Sequence, residues 1–237
     1  MKRKFALLAV LYGCAPALGE EPKAFDAAAA FGARPSVSGM TLSPDGQSVA
    51  YRSPIQGQGS ALHTLSLAQG ARPKPALALS GKPERLGHCS WVANDRLACT
   101  IYGSVKDPIY GVVPFSRLMA VNADGANLRM LSKRDSFYGH GVQLRGGEII
   151  DSLPAEDGAV LMTRTYIPDD RIGSHLGSSA EGLGVDRLDT RTLAVKRVEA
   201  PRSDAVEYIS DGRGAVRIIG LSRKIGTTSG EQDAGIR

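Results

Sequence analysis

Cys89 and Cys99 are the side chains in this sequence best placed to react with one another. They lie symmetrically about Asn94, so a hairpin with Ala93, Asn94 and Asp95 at its tip sets them directly opposite. A non-hydrogen-bonded antiparallel pair brings Cα atoms to about 4.5 Å, a separation that a disulfide spans. A bridge between Cys89 and Cys99 is expected, with two buried free thiols as the alternative. A metal site on His88, Cys89 and Cys99 is not expected, because zinc ligands usually come as paired C-x-x-C or H-x-x-x-H sets and no fourth ligand is evident. His63, His140 and His175 stand singly, as surface or hydrogen-bonded histidines do.

The remaining chemically suggestive groups read as structure. Adjacent carboxylates at Glu156-Asp157 and Asp169-Asp170 sit in turn-like sequence, where solvated loop residues are expected rather than an acid and base pair or a calcium site. The stretch Gly173 to Gly184 is rich in Gly and Ser but has no Lys-Ser or Lys-Thr after a final Gly, so it is read as a flexible connection and not as a phosphate cradle. Trp91, inside an alternating strand beside a cysteine, is expected in the core. No catalytic, cofactor-binding or metal-binding residue is assigned, and no cofactor is expected.

The chain starts with Lys2, Arg3 and Lys4, continues through an apolar stretch from Phe5 to Tyr12, and then turns to small residues. That is the pattern of a secretory signal, here residues 1–19. It is interrupted by Gly13, Pro16 and Gly19, well short of the ~20 apolar residues that cross a bilayer. Two processing routes are open. Ala17-Leu18-Gly19 before Glu20 fits ordinary signal peptidase, while Leu11-Tyr12-Gly13-Cys14 resembles a lipobox and would put a lipid on Cys14. Membrane association is expected only by that second route. Loss of Lys2, Arg3 and Lys4 takes the formal charge from +5 to +2, and the remaining basic residues are scattered among acids. No nucleic-acid partner is expected from such a distribution.

What must hold these residues is a series of short strands. The composition includes 28 Gly and 13 Pro, and from Val37 to Leu221 short apolar or alternating runs are separated by Gly, Pro, Asn and Asp. The one helical candidate after the signal is the alanine-rich stretch Phe25 to Phe31, within a lead-in segment 20–35. Met40 to Leu42 and Ser48 to Tyr51 flank the turn Ser43-Pro44-Asp45-Gly46, where Pro presets one torsion and Gly supplies a positive φ. With Leu62 to Leu67 and Ala76 to Leu79 they make one four-stranded unit.

A second unit runs from Cys89-Ser90-Trp91-Val92 through Arg96 to Tyr102 and Leu118 to Asn122, ending at Leu128 to Leu131. A third uses Gly141 to Leu144, Glu148 to Leu153, Ala159 to Tyr166 and Gly184 to Leu188, followed by Leu193 to Val198. A fourth, unfinished, uses Ala205 to Ile209 and Ala215 to Leu221. The expected fold is therefore all-β: a partial β-propeller of about four four-stranded antiparallel blades over residues 36–221, followed by a disordered polar tail, 222–237. A two-sheet sandwich is the competing architecture.

The motifs in order carry a resemblance. Leu42-Ser43-Pro44-Asp45-Gly46 followed by Val49-Ala50-Tyr51 is similar to the Pro-Asp-Gly repeat of bacterial propellers. Cys89-Ser90-Trp91 with Asp95 to Cys99, then Met119 to Gly125 with Leu128 to Leu131, then Ser210 to Arg217, resemble the propeller of exported dipeptidyl and prolyl oligopeptidase-like serine peptidases. The resemblance covers roughly Phe31 to Leu221.

It implies a propeller that limits peptide access to an α/β-hydrolase domain carrying a Ser, Asp and His triad, with the Ser in a G-x-S-x-G elbow. Neither Gly173-Ser174-His175-Leu176-Gly177 nor Thr227-Thr228-Ser229-Gly230 has that spacing. The expected role is thus that of a propeller portion truncated before the catalytic domain, with peptides or that domain as partners. The alternative is a non-catalytic periplasmic propeller, similar to the translocation-associated TolB propellers, that binds a protein.

Overall fold

The computed structural model describes residues 26–132, 144–169, 178–224 and 232–236. The signal segment with Cys14, residues 133–143 with His140, residues 170–177 with Asp170 and His175, and Thr227 to Gly230 lie outside the described residues. The chain divides into two compact units, Met1–Arg34 and Pro35–Arg237. The first contributes a short helix, α1 (Ala27–Gly32), begun by the Ala30 N–H donating to the Asp26 carbonyl at 3.0 Å. Its run of alanines pays no side-chain entropy on becoming helical.

The second unit is four antiparallel sheets in succession. Blade 1 is β1 (Ser38–Leu42), β2 (Ser48–Pro54), β3 (Ser60–Ser66) and β4 (Lys74–Leu79). Blade 2 is β5 (Arg85–Ala93), β6 (Arg96–Asp107), β7 (Gly111–Asn122) and the two-residue β8 (Arg129–Met130). Blade 3 is β9 (Ile149–Leu153), β10 (Ala159–Tyr166), β11 (Gly182–Asp189) and β12 (Val195–Arg202). Blade 4 is β13 (Ala205–Ser210), β14 (Val216–Lys224) and β15 (Gln232–Ile236).

Each sheet pairs its strands in chain order. The first strands meet in turn, β1 against β5, β5 against β9 and β9 against β13, as successive propeller blades do around a common axis. A two-sheet sandwich does not produce this order.

Between blades lie three apolar seams. Ala50, Leu62 and Ala76 of blade 1 pack against Leu86, Trp91, Leu97 and Val121 of blade 2. Val92, Ala98, Leu118 and Ala120 of blade 2 meet Val160, Met162 and Leu188 of blade 3. Leu153, Leu161 and Val185 of blade 3 meet Ala205 and Tyr208 of blade 4. Strand alternation explains the division, since neighbours along β6 point to opposite faces and both faces of blade 2 are covered.

The tight turns are built by carboxylates. In blade 1 the Ser43 hydroxyl donates to Asp45 Oδ1 at 2.6 Å, the same oxygen accepts the Gln47 N–H at 3.0 Å, and Gly46 takes φ 71°. In blade 4 Asp211 Oδ1 accepts the N–H groups of Arg213 and Ala215.

Three segments differ from the sequence reading. β6 and β7 continue into a twelve-by-twelve residue ribbon, paired from Arg96↔Asn122 to Asp107↔Gly111, where separate strands ending at Tyr102 and beginning at Leu118 were expected. Pro108, Gly111 and Pro114 read as loop punctuation, yet Pro114 sits in the ladder and Asp107 Oδ1 closes the tip by accepting the Ile109 and Tyr110 N–H groups. The polar tail expected from residue 222 is instead strand where described: β14 runs to Lys224, and Gln232–Ile236 pair with its distal half, Lys224↔Gln232 to Gly220↔Ile236. Backbone pairing there does not depend on apolar composition. Leu144 lies in no strand, and its carbonyl accepts the Ser116 N–H at 2.8 Å.

Candidate functional site

A groove of about 960 Å³ lies among blades 2, 3 and 4. His88 and Ser90 on β5, Thr100 on β6, Glu148 and Asp151 at and before β9, and Glu207 on β13 are among the residues lining it. Alternation positions them: Cys89 and Trp91 turn into the blade 1 seam, which leaves His88 and Ser90 on the other face of β5.

Much of the groove's polarity is already engaged. Asp151 is buried and its Oδ2 accepts the Gly214 N–H at 2.8 Å. Thr163 Oγ1 accepts the Glu148 N–H at 2.9 Å, and Tyr208 donates to the Leu183 carbonyl at 3.0 Å. Burial pushes the Tyr208 hydroxyl above its usual range, with Glu199 adding to the rise. His88, Ser90, Thr100, Glu148 and Glu207 offer hydrogen bonds and carboxylates to a polar guest.

Two buried polar clusters stand out, one across a seam and one within a blade. Arg96 at the start of β6 is wholly buried. Its Nε donates to Thr190 Oγ1 at 2.9 Å and its Nη2 to the Thr190 carbonyl, while Nη1 donates to Asn122 Oδ1 at 2.6 Å and to the Asn127 carbonyl at 3.2 Å. Burial lowers the guanidinium below its ordinary value, and Arg191 nearby lowers it further. The planar fork thus ties blade 2 to the β11–β12 turn of blade 3.

In blade 3, Asp186 is wholly buried, paired to Arg164 Nη1 at 3.1 Å and accepting the Tyr166 hydroxyl at 2.7 and 2.8 Å. Burial raises the Tyr166 hydroxyl, and its bond to Asp186 does so too. Arg197 lies 4.9 Å from the Tyr166 ring centre.

On the rim, Arg191 bridges Asp95 at 2.6 Å and Asp157 at 2.9 Å, so the first turns of blades 2 and 3 share one edge of the propeller. β6 runs away from that edge, and its ribbon with β7 emerges on the opposite one.

The register sets Cys89 opposite Cys99, and a disulfide joins them with their Cα atoms 4.1 Å apart. Both half-cystines are buried in the blade 1 seam, and the bond fits an oxidising compartment. Trp91 lies in the same seam and its Nε1 donates to the Thr41 carbonyl at 3.2 Å. His63 stacks on Tyr51, with ring centres 5.4 Å apart, on the face of blade 1 away from blade 2. His88 lines the groove.

Glu156 pairs with Arg187, Asp157 with Arg191, and Asp169 Oδ2 accepts the Ser178 N–H at 2.9 Å. These carboxylates do not converge on one another. Among the described residues no cluster of His, Cys, Asp and Glu could hold a metal ion, and no helix is long and apolar enough to cross a membrane. Sequence reasoning missed Arg96 and Asp186, each an unremarked charge within a strand. It also missed the projecting ribbon, whose signal was the alternation of Val105, Val113 and Phe115.

No family model matches the chain, and no curated protein matches it. Among solved structures it is similar to an acylaminoacyl peptidase in complex with Z-Gly-Gly-Phe-chloromethyl ketone, at 11% identity and a TM-score of 0.43, over 85% of this chain and 30% of that one. It is also similar to a puromycin-hydrolyzing peptidase of Mycobacterium tuberculosis, at 13% identity and a TM-score of 0.33, over 84% of this chain and 33% of that one. The chain spans about a third of the length of these structures.

Proposed function

We propose that this chain is the front portion of the propeller of an exported prolyl oligopeptidase-like serine peptidase, and that it limits peptide entry to a hydrolase domain encoded beyond it. The observation that carries the reading is the order of the motifs: Pro44-Asp45-Gly46, Cys89 to Cys99 and Ser210-Asp211-Gly212 lie in the first hairpins of blades 1, 2 and 4, and Met119 to Leu131 closes blade 2. The blade ends support it. Leu42, Val49, Tyr51 and Leu65 lie on the face of blade 1 turned from blade 2, and Ile209 and Ile218 pair on the face of blade 4 turned from blade 3. Further blades would cover both faces as the inner seams are covered. The disulfide supports export.

Sequencing past the codon for Arg237 tests the proposal. The expected result is additional blade repeats followed by a G-x-S-x-G elbow with a later Asp and His, and absence of any such frame sinks it. A stoichiometric envelope partner, with no hydrolysis of prolyl dipeptide substrates by the full gene product, would instead favour the partner-binding propeller.

A further inference from the structure

The distal halves of β6 and β7 belong to no seam. β5 pairs with β6 only as far as Arg85↔Tyr102, so from Gly103 to Asp107 the β5-side edge of β6 has no strand beside it among the described residues. Around its tip the ribbon exposes Ile109 (81%), Tyr110 (79%), Val112 (71%) and Val105 (46%). Two-stranded ribbons are marginal in water, and an open edge invites a further strand.

The two edges of the ribbon are not equivalent. The N–H groups of Ser116 and Leu118 point away from β6, to the Leu144 carbonyl and Ser132 Oγ. Even-numbered residues of β7 therefore present their backbone groups outwards, and Pro114, one of them, has no N–H to present. The partners of these residues across the ladder, Ser104 opposite Pro114 and Lys106 opposite Val112, present theirs on the other edge with donors and acceptors intact. Proline thus blocks the β7 edge, while the β6 edge stays competent.

We propose that this β6 edge is a self-association site, at which two copies of the chain pair antiparallel about a two-fold axis at Val105. In that register Ser104 of each copy lies opposite the partner's Lys106, which makes two fully hydrogen-bonded pairs. Val105 meets the partner's Val105, and no like charges face each other. The ribbon tip carries Lys106 and Asp107 and is neutral, so nothing repels its own copy.

The same register extends the partner's Ile109 and the partner's Tyr110 past Tyr102, toward a groove of about 670 Å³ lined by Gly81, Lys82, Pro83, Arg85 and Tyr102. Lys82 and Arg85 there suit the face of an aromatic ring. Ile109, Tyr110 and Val105 present on the order of 400 Å² per copy, within the range of a functional patch, and about 800 Å² for the pair, the scale of a transient interface. A closed two-fold contact of this kind stops at the dimer and consumes the edge. The inference does not depend on which parent protein the blades belong to.

The test is made in a C14S background carrying I209E/I218K, which removes association through the open face of blade 4. On mild oxidation V105C is expected to give a covalent dimer, since residues across the axis approach to about 4.5 Å. V112C, on the blocked edge, is expected to remain monomeric on the same non-reducing gels. Sedimentation of the background without an added cysteine is expected to show a dimer that I109E/Y110E weakens at least about a hundredfold with an unchanged far-UV spectrum. A folded V105C chain that does not cross-link overturns the proposal. So does V112C cross-linking equally well, or a monomeric background at every concentration.

Discussion

On β6 of blade 2, Leu97 and Cys99 face blade 1, Ala98 faces the seam with blade 3, and all three are buried. On β13 of blade 4, Ala205 and Tyr208 are buried against blade 3, while Ile209 is 44% exposed. Both strands alternate in the same way. What differs is the presence of a second neighbour, so a blade's apolar content is only half used where the array is open. In such arrays stability is close to a sum of blade terms and nearest-neighbour terms. Blade 2 should therefore tolerate least and blade 4 most.

The widest gap between the two regions is expected at their arginines. Arg96→Met removes a buried fork and strands the Thr190 carbonyl, Asn122 Oδ1 and Asn127 carbonyl, which should cost about 3–5 kcal/mol in urea unfolding. Arg217→Met in blade 4 breaks only an exposed pair with Asp211 and should cost no more than about 1 kcal/mol. Equal losses would remove the distinction between seam and open end.

Apolar truncations sharpen the same contrast at lower cost. Leu97→Ala opens a cavity at a fully buried position and should cost about 3 kcal/mol, whereas Ile209→Ala should cost under about 1 kcal/mol. Opening the disulfide in C89S/C99S frees a bridge with a sequence separation of 10 and should cost about 2–3 kcal/mol. If the blade 1 seam depends on that bridge, limited proteolysis should then release blade 1 before blade 4. Release of blade 4 first would assign the weaker coupling to the third seam.

The sequence made the repeats legible because alternation and Asp-Gly corners are local signals. Pro44-Asp45-Gly46 and Asp211-Gly212 each build a turn from groups within a few residues, and the Cys89–Cys99 register follows from the hairpin tip between them. Arg96 and Asp186 could not be found that way. Their partners Thr190 and Arg164 lie 94 and 22 residues distant, and only blade stacking or strand pairing brings them together. The ribbon was obscured for the opposite reason: Pro108, Gly111 and Pro114 are strong local loop signals, yet Gly111 opens β7 and the ladder runs through Pro114 because its missing N–H points outwards. The tail shows the same limit, since β15 is held by backbone pairing to β14 and not by an apolar pattern.

The smallest expected effect concerns acid. Asp45 is held below the usual carboxylate range by the Ser43 hydroxyl and then by the Gln47 N–H, and Asp211 by the N–H groups of Arg213 and Ala215. A carboxylate whose folded value is depressed contributes stability that is complete above its unfolded value, about 3.9, and is lost as pH falls through the folded value. Among the described residues both turns belong to blades with a neighbouring blade on one face. Acidification from pH 5 to pH 2 should therefore raise amide exchange in the β1–β2 and β13–β14 hairpins before it does so in β6. D45N and D211N should each flatten that dependence in their own hairpin alone. If β6 exchanges first, the blade ends are not where acid acts, and the coupling between blades is tighter than a nearest-neighbour array allows.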